Sequence, residues 1–298
     1  MNIRKKYHLP TEDSFRGKIS VLTLSKMWKS KYGVSVDRFF ASGELELIPV
    51  QPYNYYRFSS AKSGDAEFYG KLMRHMGYDC AEKPEFSEAI LAIDPRDKVL
   101  DVGCGIGNFS LRCPGLYRGI DTNPTAVEDA AKLGRNVQYG MVQDEEPNSY
   151  DVVTAFQVLE HVDDPNTFLR ACISCLRPGG ILIISTPNMG GVVGYTTNEI
   201  LNYPPHHMTW WSHSSLQSLI SDCDCELTSL WLEPLQPIQF RIALLALLWP
   251  RNEKHLTTSR FFPVFELAIK VLARIAGKLW GEIPFIAEQT VMVVARKK

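Results

Sequence analysis

Val99-Leu-Asp-Val-Gly-Cys-Gly-Ile-Gly-Asn-Phe-Ser110 is the stretch on which the fold turns. Residues 99–102 read as a strand buried in a parallel sheet. Gly103, Gly105 and Gly107 then follow at alternate positions. Glycine tolerates a positive φ and has no Cβ, so a ligand can press directly on the backbone there. Residues 108–112 are expected to open a helix. Strand, glycine turn and helix would form the first half of a nucleotide-binding βαβ unit.

The G-x-G-x-G spacing falls one residue short of the dinucleotide fingerprint. Asp101 stands just before the turn, and no Lys or Arg lies inside it. That arrangement suits a ligand end bearing a positive amine better than a pyrophosphate. The next strand, Tyr117-Arg-Gly-Ile120, ends in Asp121, whose carboxylate can take both ribose hydroxyls in a forked hydrogen bond. A ribose plus a cationic amino-acid tail describes S-adenosylmethionine.

Taken in order, four stretches carry a resemblance: residues 99–109; Gly119-Ile-Asp-Thr-Asn-Pro124; Tyr150-Asp-Val-Val-Thr-Ala-Phe-Gln-Val-Leu-Glu-His-Val162; and Leu176-Arg-Pro-Gly-Gly-Ile-Leu-Ile-Ile-Ser-Thr-Pro-Asn188. They resemble the first motif, the second motif, the fourth-strand segment and the fifth strand of class I S-adenosylmethionine-dependent methyltransferases. Within that class the chain looks similar to quinone and sugar O-methyltransferases. The resemblance covers roughly residues 84–233 and a final strand near 290–295. It implies an α/β three-layer sandwich around a mainly parallel seven-stranded sheet with an antiparallel last strand. It also implies S-adenosylmethionine as cofactor. Gly103, Cys104, Gly105 and Gly107 would meet its methionine part, and Asp101 would orient the amine directly or through water. Asp121 would hold the ribose, and Thr122 would flank the adenine. Gln143, in a stretch whose register departs from the usual pattern, would approach the adenine. Phe156 and Gln157 would give backbone contacts near the methionine tail.

The chain has 298 residues, enough for one large domain or a domain with additions. A net charge of −1 without a long basic run argues against nucleic acid as a partner. There are 7 cysteines, an odd number. Cys172-x-x-Cys175 and Cys223-x-Cys225 could assemble a four-thiolate zinc site, but ordinary buried thiols are the commoner outcome. Reduced cysteines and the lack of an apolar run behind the first residues lead to the expectation of a cytoplasmic protein.

Three regions are expected: residues 1–83 as an N-terminal cap or substrate region, 84–233 with 287–298 as the cofactor domain, and 234–286 as a helical insertion. In the first region, residues 20–31 and 65–76 read as helices, and residues 84–93 read as another at the start of the cofactor domain. Residues 45–50 and 53–58 read as short extended segments that Pro49 and Pro52 would confine to an edge or loop. Tyr53, Tyr55 and Tyr56 read as aromatic packing or as pocket lining. From residue 98, strands at 98–102, 117–121, 136–139, 151–155 and 181–185 alternate with helices starting near 108, 124 and 165, the pattern of a parallel sheet covered on both faces. In the insertion, Glu266, Lys270, Arg274 and Lys278 make one narrow polar stripe over residues 265–280. The broad apolar face opposite needs burial against the domain, a dimer partner or a lipid interface. Residues 238–281 are therefore the candidate for peripheral membrane contact at the inner face or for a homodimer.

Methyl transfer from a sulfonium is an in-line displacement that also needs a home for the acceptor's proton. Histidine suits that task near neutrality. His161 follows the fourth strand of the cofactor domain. His206 and His207 lie in Asn202-Tyr-Pro-Pro-His-His-Met-Thr-Trp-Trp211, beyond the fifth strand, where a loop can overhang the methyl group. Trp210 and Trp211 could flank a flat acceptor or form the loop's core. The Asn/Asp-Pro-Pro-aromatic motif of base N-methylation is replaced by Ala155-Phe-Gln-Val158. No metal-ligand spacing stands out, and no metal is expected. The residues point to methylation of an oxygen of a small molecule, sugar or lipid-linked acceptor. The alternatives are a non-catalytic binding scaffold and a nicotinamide-dependent oxidoreductase.

Overall fold

In a computed structural model of the chain, the structure describes residues 18–76, 83–191, 200–234 and 289–298, together with Val271. The amphipathic stretch 265–280, nearly all of the expected insertion, the candidate membrane or dimer contact and Cys80 lie outside the described residues. Among the described residues no helix is long and apolar enough to cross a membrane.

The central sheet has seven strands. They are β4 (Lys98–Val102), β5 (Leu116–Asp121), β6 (Val137–Tyr139), β7 (Tyr150–Phe156), β8 (Leu176–Pro187), β10 (Cys225–Leu232) and β11 (Thr290–Lys297). Their spatial order is β10-β11-β8-β7-β4-β5-β6. β4 pairs parallel with β5 and β7, and β11 enters antiparallel between β8 and β10. The expected sheet is thus found, with its one antiparallel strand in place. β4 and β7 bury nearly every residue, as strands covered on both faces must. Leu100, Val153, Leu182 and Leu169 are fully buried between sheet and helices, each worth about 1.5–3 kcal/mol.

Helices α4 (Pro124–Lys132) and α5 (Pro165–Cys175) start where the sequence signals them. Asn123 and Asp164 cap their first turns by accepting backbone N–H bonds, and Pro124 and Pro165 sit in the first turn, where no N–H is missed. α6 (His213–Ser221) opens with a capping box between Ser212 and Ser215. The helix expected at 108–112 is instead a single 3-10 turn, Asn108–Leu111. Pro114 follows too closely for a full helical nucleus to form.

The N-terminal region builds a second sheet from β1 (Lys18–Ser20), β2 (Glu44–Val50) and β3 (Tyr55–Phe58), around helices α1 (Val21–Tyr32) and α2 (Ala66–Met76). A short helix, α3 (Pro84–Ala89), leads into the cofactor domain. The fourth strand of the small sheet is β9 (Thr209–Trp210), contributed by the loop beyond β8. β2 is not an edge strand, contrary to the expectation from Pro49. Because β1 reaches only Glu44–Glu46, Pro49 faces an open side all the same, with β3 on the other. Trp28 and Phe68 share one core with Tyr203 and Trp210. The Trp28 indole donates to the Pro204 carbonyl at 3.0 Å. Those contacts clamp the loop of residues 200–208 over the carboxyl end of β7.

Candidate active site

The glycine turn wraps around the tip of β5. The Gly105 N–H donates to one Asp121 carboxylate oxygen at 2.7 Å and the Asn123 N–H to the other at 2.7 Å. Gly103, Gly105 and Gly107 all have positive φ, but for different reasons. A Cβ on Gly103 would lie 2.7 Å from Val158 and one on Gly107 2.7 Å from Val137, whereas one on Gly105 would meet no protein atom within 4 Å. The space above Gly105 opens into a cavity of about 910 Å³.

That cavity brings together most of the expected site. Gly103, Cys104, Gly105, Asp121, Thr122 and Gln143 line one end; Phe156, Gln157, His161, His206 and His207 line it further along. Two expected residues do not line it. Gly107 is spent on packing against β6. Asp101 is buried beneath the turn, one oxygen accepting from the Thr154 hydroxyl at 2.7 Å and the other from the Tyr117 hydroxyl at 2.9 Å. Burial pushes the Asp101 carboxyl up to about 6, against the pull of those two hydrogen bonds. Its carboxylate sits beneath the turn, outside the cavity lining. Burial also raises Asp121 and the Cys104 thiol.

Phe156 packs its ring on Phe109 and Phe86, at centroid distances of 4.8 and 5.0 Å. Gln157 has φ 59°, an uncommon conformation for a side-chain-bearing residue. Its amide donates to the Glu85 carboxylate at 3.1 Å, which helps to hold that conformation.

The three histidines, from two segments far apart in sequence, converge. Their ring centroids lie 4.4 Å apart for His161 and His206, 4.9 Å for His161 and His207, and 4.7 Å for His206 and His207. The His161 Nδ1 lies 2.5 Å from the His206 carbonyl oxygen, so Nδ1 carries the proton and Nε2 is bare. Burial lowers His161 to about 4 and holds His206 and His207 well below the usual imidazole range, so all three are neutral at neutral pH. Burial raises Glu160 to about 7.

Trp210 and Trp211 form the loop's core. Trp211 stacks on Tyr55 at 4.2 Å, and the Trp210 indole donates to the Asn202 carbonyl at 2.6 Å. The tyrosine cluster resolves as packing for Tyr55, while the Tyr53 hydroxyl bonds Asp222. Sequence reasoning missed Tyr69 of α2, which lines the cavity with its hydroxyl 3.3 Å from His161 Nδ1 and donating to the His206 carbonyl at 3.4 Å. It also missed Lys83, a cation on the cavity wall. Neither sits in a motif, and only the folded chain brings them to the site. The cysteine pairs do not gather into a metal cluster among the described residues.

A glycine-lined cavity at the carboxyl edge of a doubly wound sheet, with an acidic strand tip beside it, defines a nucleoside-binding α/β protein of the class I methyltransferase type. The family model of the methyltransferase domain matches residues 72–230, more than half of the chain, and the chain belongs to that S-adenosylmethionine-dependent family. It is 43% identical over 103 residues to a ubiquinone biosynthesis O-methyltransferase of Xanthomonas euvesicatoria, covering 30% of this chain and 43% of the relative. A Pseudomonas fluorescens protein of the same description is 41% identical over 103 residues, covering 30% and 44%. The chain thus spans less than half the length of these curated relatives. Among solved structures, a Thermotoga maritima S-adenosylmethionine-dependent methyltransferase aligns with TM-score 0.52 and 16% identity over 78% of this chain and 98% of the other. A chain from a complex of the Haloferax volcanii Trm112 methyltransferase activator with a methyltransferase gives 0.53 and 19%, over 78% and 96%. Those two likenesses concern the fold alone.

S-adenosylmethionine is the cofactor of the family, and the residues present fit it. The open space above Gly105 takes backbone contact, each Asp121 oxygen keeps a lone pair for a ribose hydroxyl, and Lys83 faces the cavity as a partner for a carboxylate.

Proposed function

We propose that the chain transfers a methyl group from S-adenosylmethionine to an oxygen of a small acceptor, a phenolic or sugar hydroxyl in a free or lipid-linked molecule. The observation that carries this reading is the convergence of His161, His206 and His207 on the same cavity as the Gly105 cradle and Asp121. The likeness to quinone-pathway O-methyltransferases supports oxygen as the nucleophile.

The bound cofactor supplies an electrophilic methyl group on a sulfonium. The chain does the rest. Gly103, Gly105 and Gln157 offer backbone to the amino-acid end, and Asp121 fixes the ribose. The histidine loop, held by Trp28 and by the Met208 N–H bond to the Glu160 carbonyl at 2.7 Å, excludes water and sets the acceptor in line. His161 Nε2 would take the proton of the acceptor hydroxyl as its oxygen receives the methyl group that the cofactor supplies. Glu160 lies 3.7 Å from that nitrogen and stabilises the imidazolium.

Incubation of the pure protein with methyl-labelled S-adenosylmethionine and a panel of phenols, catechols and sugars tests the reading. Label in an ether product of one of them, lost in His161→Ala with cofactor affinity unchanged, supports it. Label appearing only on nitrogen acceptors contradicts the oxygen assignment, and cofactor binding with no turnover on any acceptor favours the scaffold alternative.

A further inference from the structure

We infer that His161, His206 and His207 form a binding site for one transition-metal ion of the zinc class, with Glu160 at its edge. One nitrogen from each ring can be chosen so that all three lie within 4.8 Å of one another, and this is the one such grouping of potential ligands among the described residues.

The hydrogen bonding leaves electron pairs where a cation belongs. The His206 Nδ1 and the Glu160 Oε1 are buried and have no hydrogen-bond partner. His206 is 6% exposed and Glu160 2%, and both line the cavity. The other Glu160 oxygen accepts from the Thr186 hydroxyl at 3.0 Å, which fixes the carboxylate. His161 donates from Nδ1 to the His206 carbonyl, so its bare Nε2 faces Glu160 Oε1 at 3.7 Å, acceptor toward acceptor. An unsatisfied buried polar atom is costly, and a shared cation would settle both the Glu160 Oε1–His161 Nε2 approach and the unpartnered His206 Nδ1.

The chemistry of the set chooses the ion. Imidazole nitrogens favour zinc-like ions over magnesium or calcium, which want oxygen ligands. Zinc–nitrogen bonds of about 2.0–2.1 Å place tetrahedral ligands roughly 3.4 Å apart, so the rings need only turn inward by about 1 Å. The Nδ1–H bond of His161 to a backbone carbonyl is the outer contact that metal-bound imidazoles usually keep, because it holds the tautomer and points Nε2 at the ion. The remaining coordination position opens to the cavity. On the methyl-transfer reading proposed above, an acceptor hydroxyl would bind there. With the ion in place His161 Nε2 is a ligand rather than the base of the metal-free reading; the ion would lower the hydroxyl's pKa, so that its proton leaves to the Glu160 carboxylate before the O–CH3 bond forms.

The experiment separates metal binding from turnover. The full-length protein is stripped with chelator, dialysed against Zn2+ or Co2+, and analysed for metal content and for the visible absorption of Co2+. His161→Ala, His207→Ala and the milder His206→Gln are measured alongside, with S-adenosylhomocysteine titration calorimetry on each. One ion per chain in the wild type, a Co2+ band typical of nitrogen ligands, and at least ten-fold weaker metal affinity in the variants with cofactor affinity retained would support the site. Sub-stoichiometric metal in the wild type would overturn it, as would uptake unchanged in all three variants, which would place the ion on cysteine thiolates. Either negative result with cofactor binding intact leaves the methyltransferase reading standing. Loss of cofactor binding by the wild type would instead refute that reading.

Discussion

Replacing Asp121 by alanine should weaken cofactor binding far more than it harms the fold. In the wild type each carboxylate oxygen accepts one backbone N–H, from Gly105 and from Asn123, both at 2.7 Å. A carboxylate oxygen has two lone pairs, so one on each side remains for a ribose hydroxyl. Removing the group deletes at least one charge-assisted hydrogen bond to the ligand, about 1.5–3 kcal/mol, or roughly a 10- to 150-fold rise in Kd. It also frees two N–H groups beside an open cavity, where water can replace the lost acceptor. The fold should therefore lose only about 1–2 kcal/mol. Calorimetric titration with S-adenosylmethionine and S-adenosylhomocysteine reads the first effect, and urea unfolding of the apoprotein the second. Asp121→Asn sharpens the test. It keeps one acceptor, but in one of its two orientations turns an NH2 group toward the Gly105 N–H; its affinity should fall between wild type and Asp121→Ala. A Kd within two-fold of wild type in Asp121→Ala, with the protein folded, would refute the assignment of the ribose to this strand tip.

Gly105→Ala and Gly107→Ala should separate ligand contact from packing. The Gly105 variant carries about 1–2 kcal/mol of left-handed strain with no protein clash, so it should fold and bind cofactor poorly. The Gly107 variant adds a clash at 2.7 Å with Val137 and should lose a further 1–3 kcal/mol or so of stability; equal melting temperatures would contradict this. Glu160→Gln should change the pH dependence of stability in chelator. Burial raises this carboxyl from 4.5 to about 7 in the folded protein, so the native state holds a proton that the unfolded chain releases first. The associated stability is present below pH 4.5 and lost as pH rises through about 7. The variant should therefore gain on the wild type by up to about 3 kcal/mol across that window, and parallel stability curves would contradict it. His161→Ala should lower kcat by about 10²- to 10⁴-fold with cofactor Kd unchanged, and full turnover would remove it from the mechanism.

The sheet was legible because its strands announce themselves locally. The apolar runs at 99–102 and 151–155 predict β4 and β7 closely, and Pro124 and Pro165 mark helix starts, whereas β8 begins at Leu176 and takes in the Arg-Pro-Gly-Gly stretch that reads as a turn before residue 181. The turn after Gly107 was misread as a helix because periodicity alone does not weigh the nearby Pro114. Asp101 looked like a ligand contact by its place before the glycines, but strand alternation points it under the turn, toward Thr154 and Tyr117. The histidine cluster could not be read from spacing at all, since His161 and His206 stand 45 residues apart and meet only because β9 joins the N-terminal sheet and draws the loop across β7. Tyr69 and Lys83 were hidden for the same reason.

A crystal structure of the full chain with S-adenosylhomocysteine bound tests the central claim most directly. The nucleoside should lie over Gly103 and Gly105, its ribose hydroxyls on Asp121, and its sulfur directed toward His161, His206 and His207. A ligand bound away from Gly105, or one whose sulfur turns from the three histidines, would contradict it.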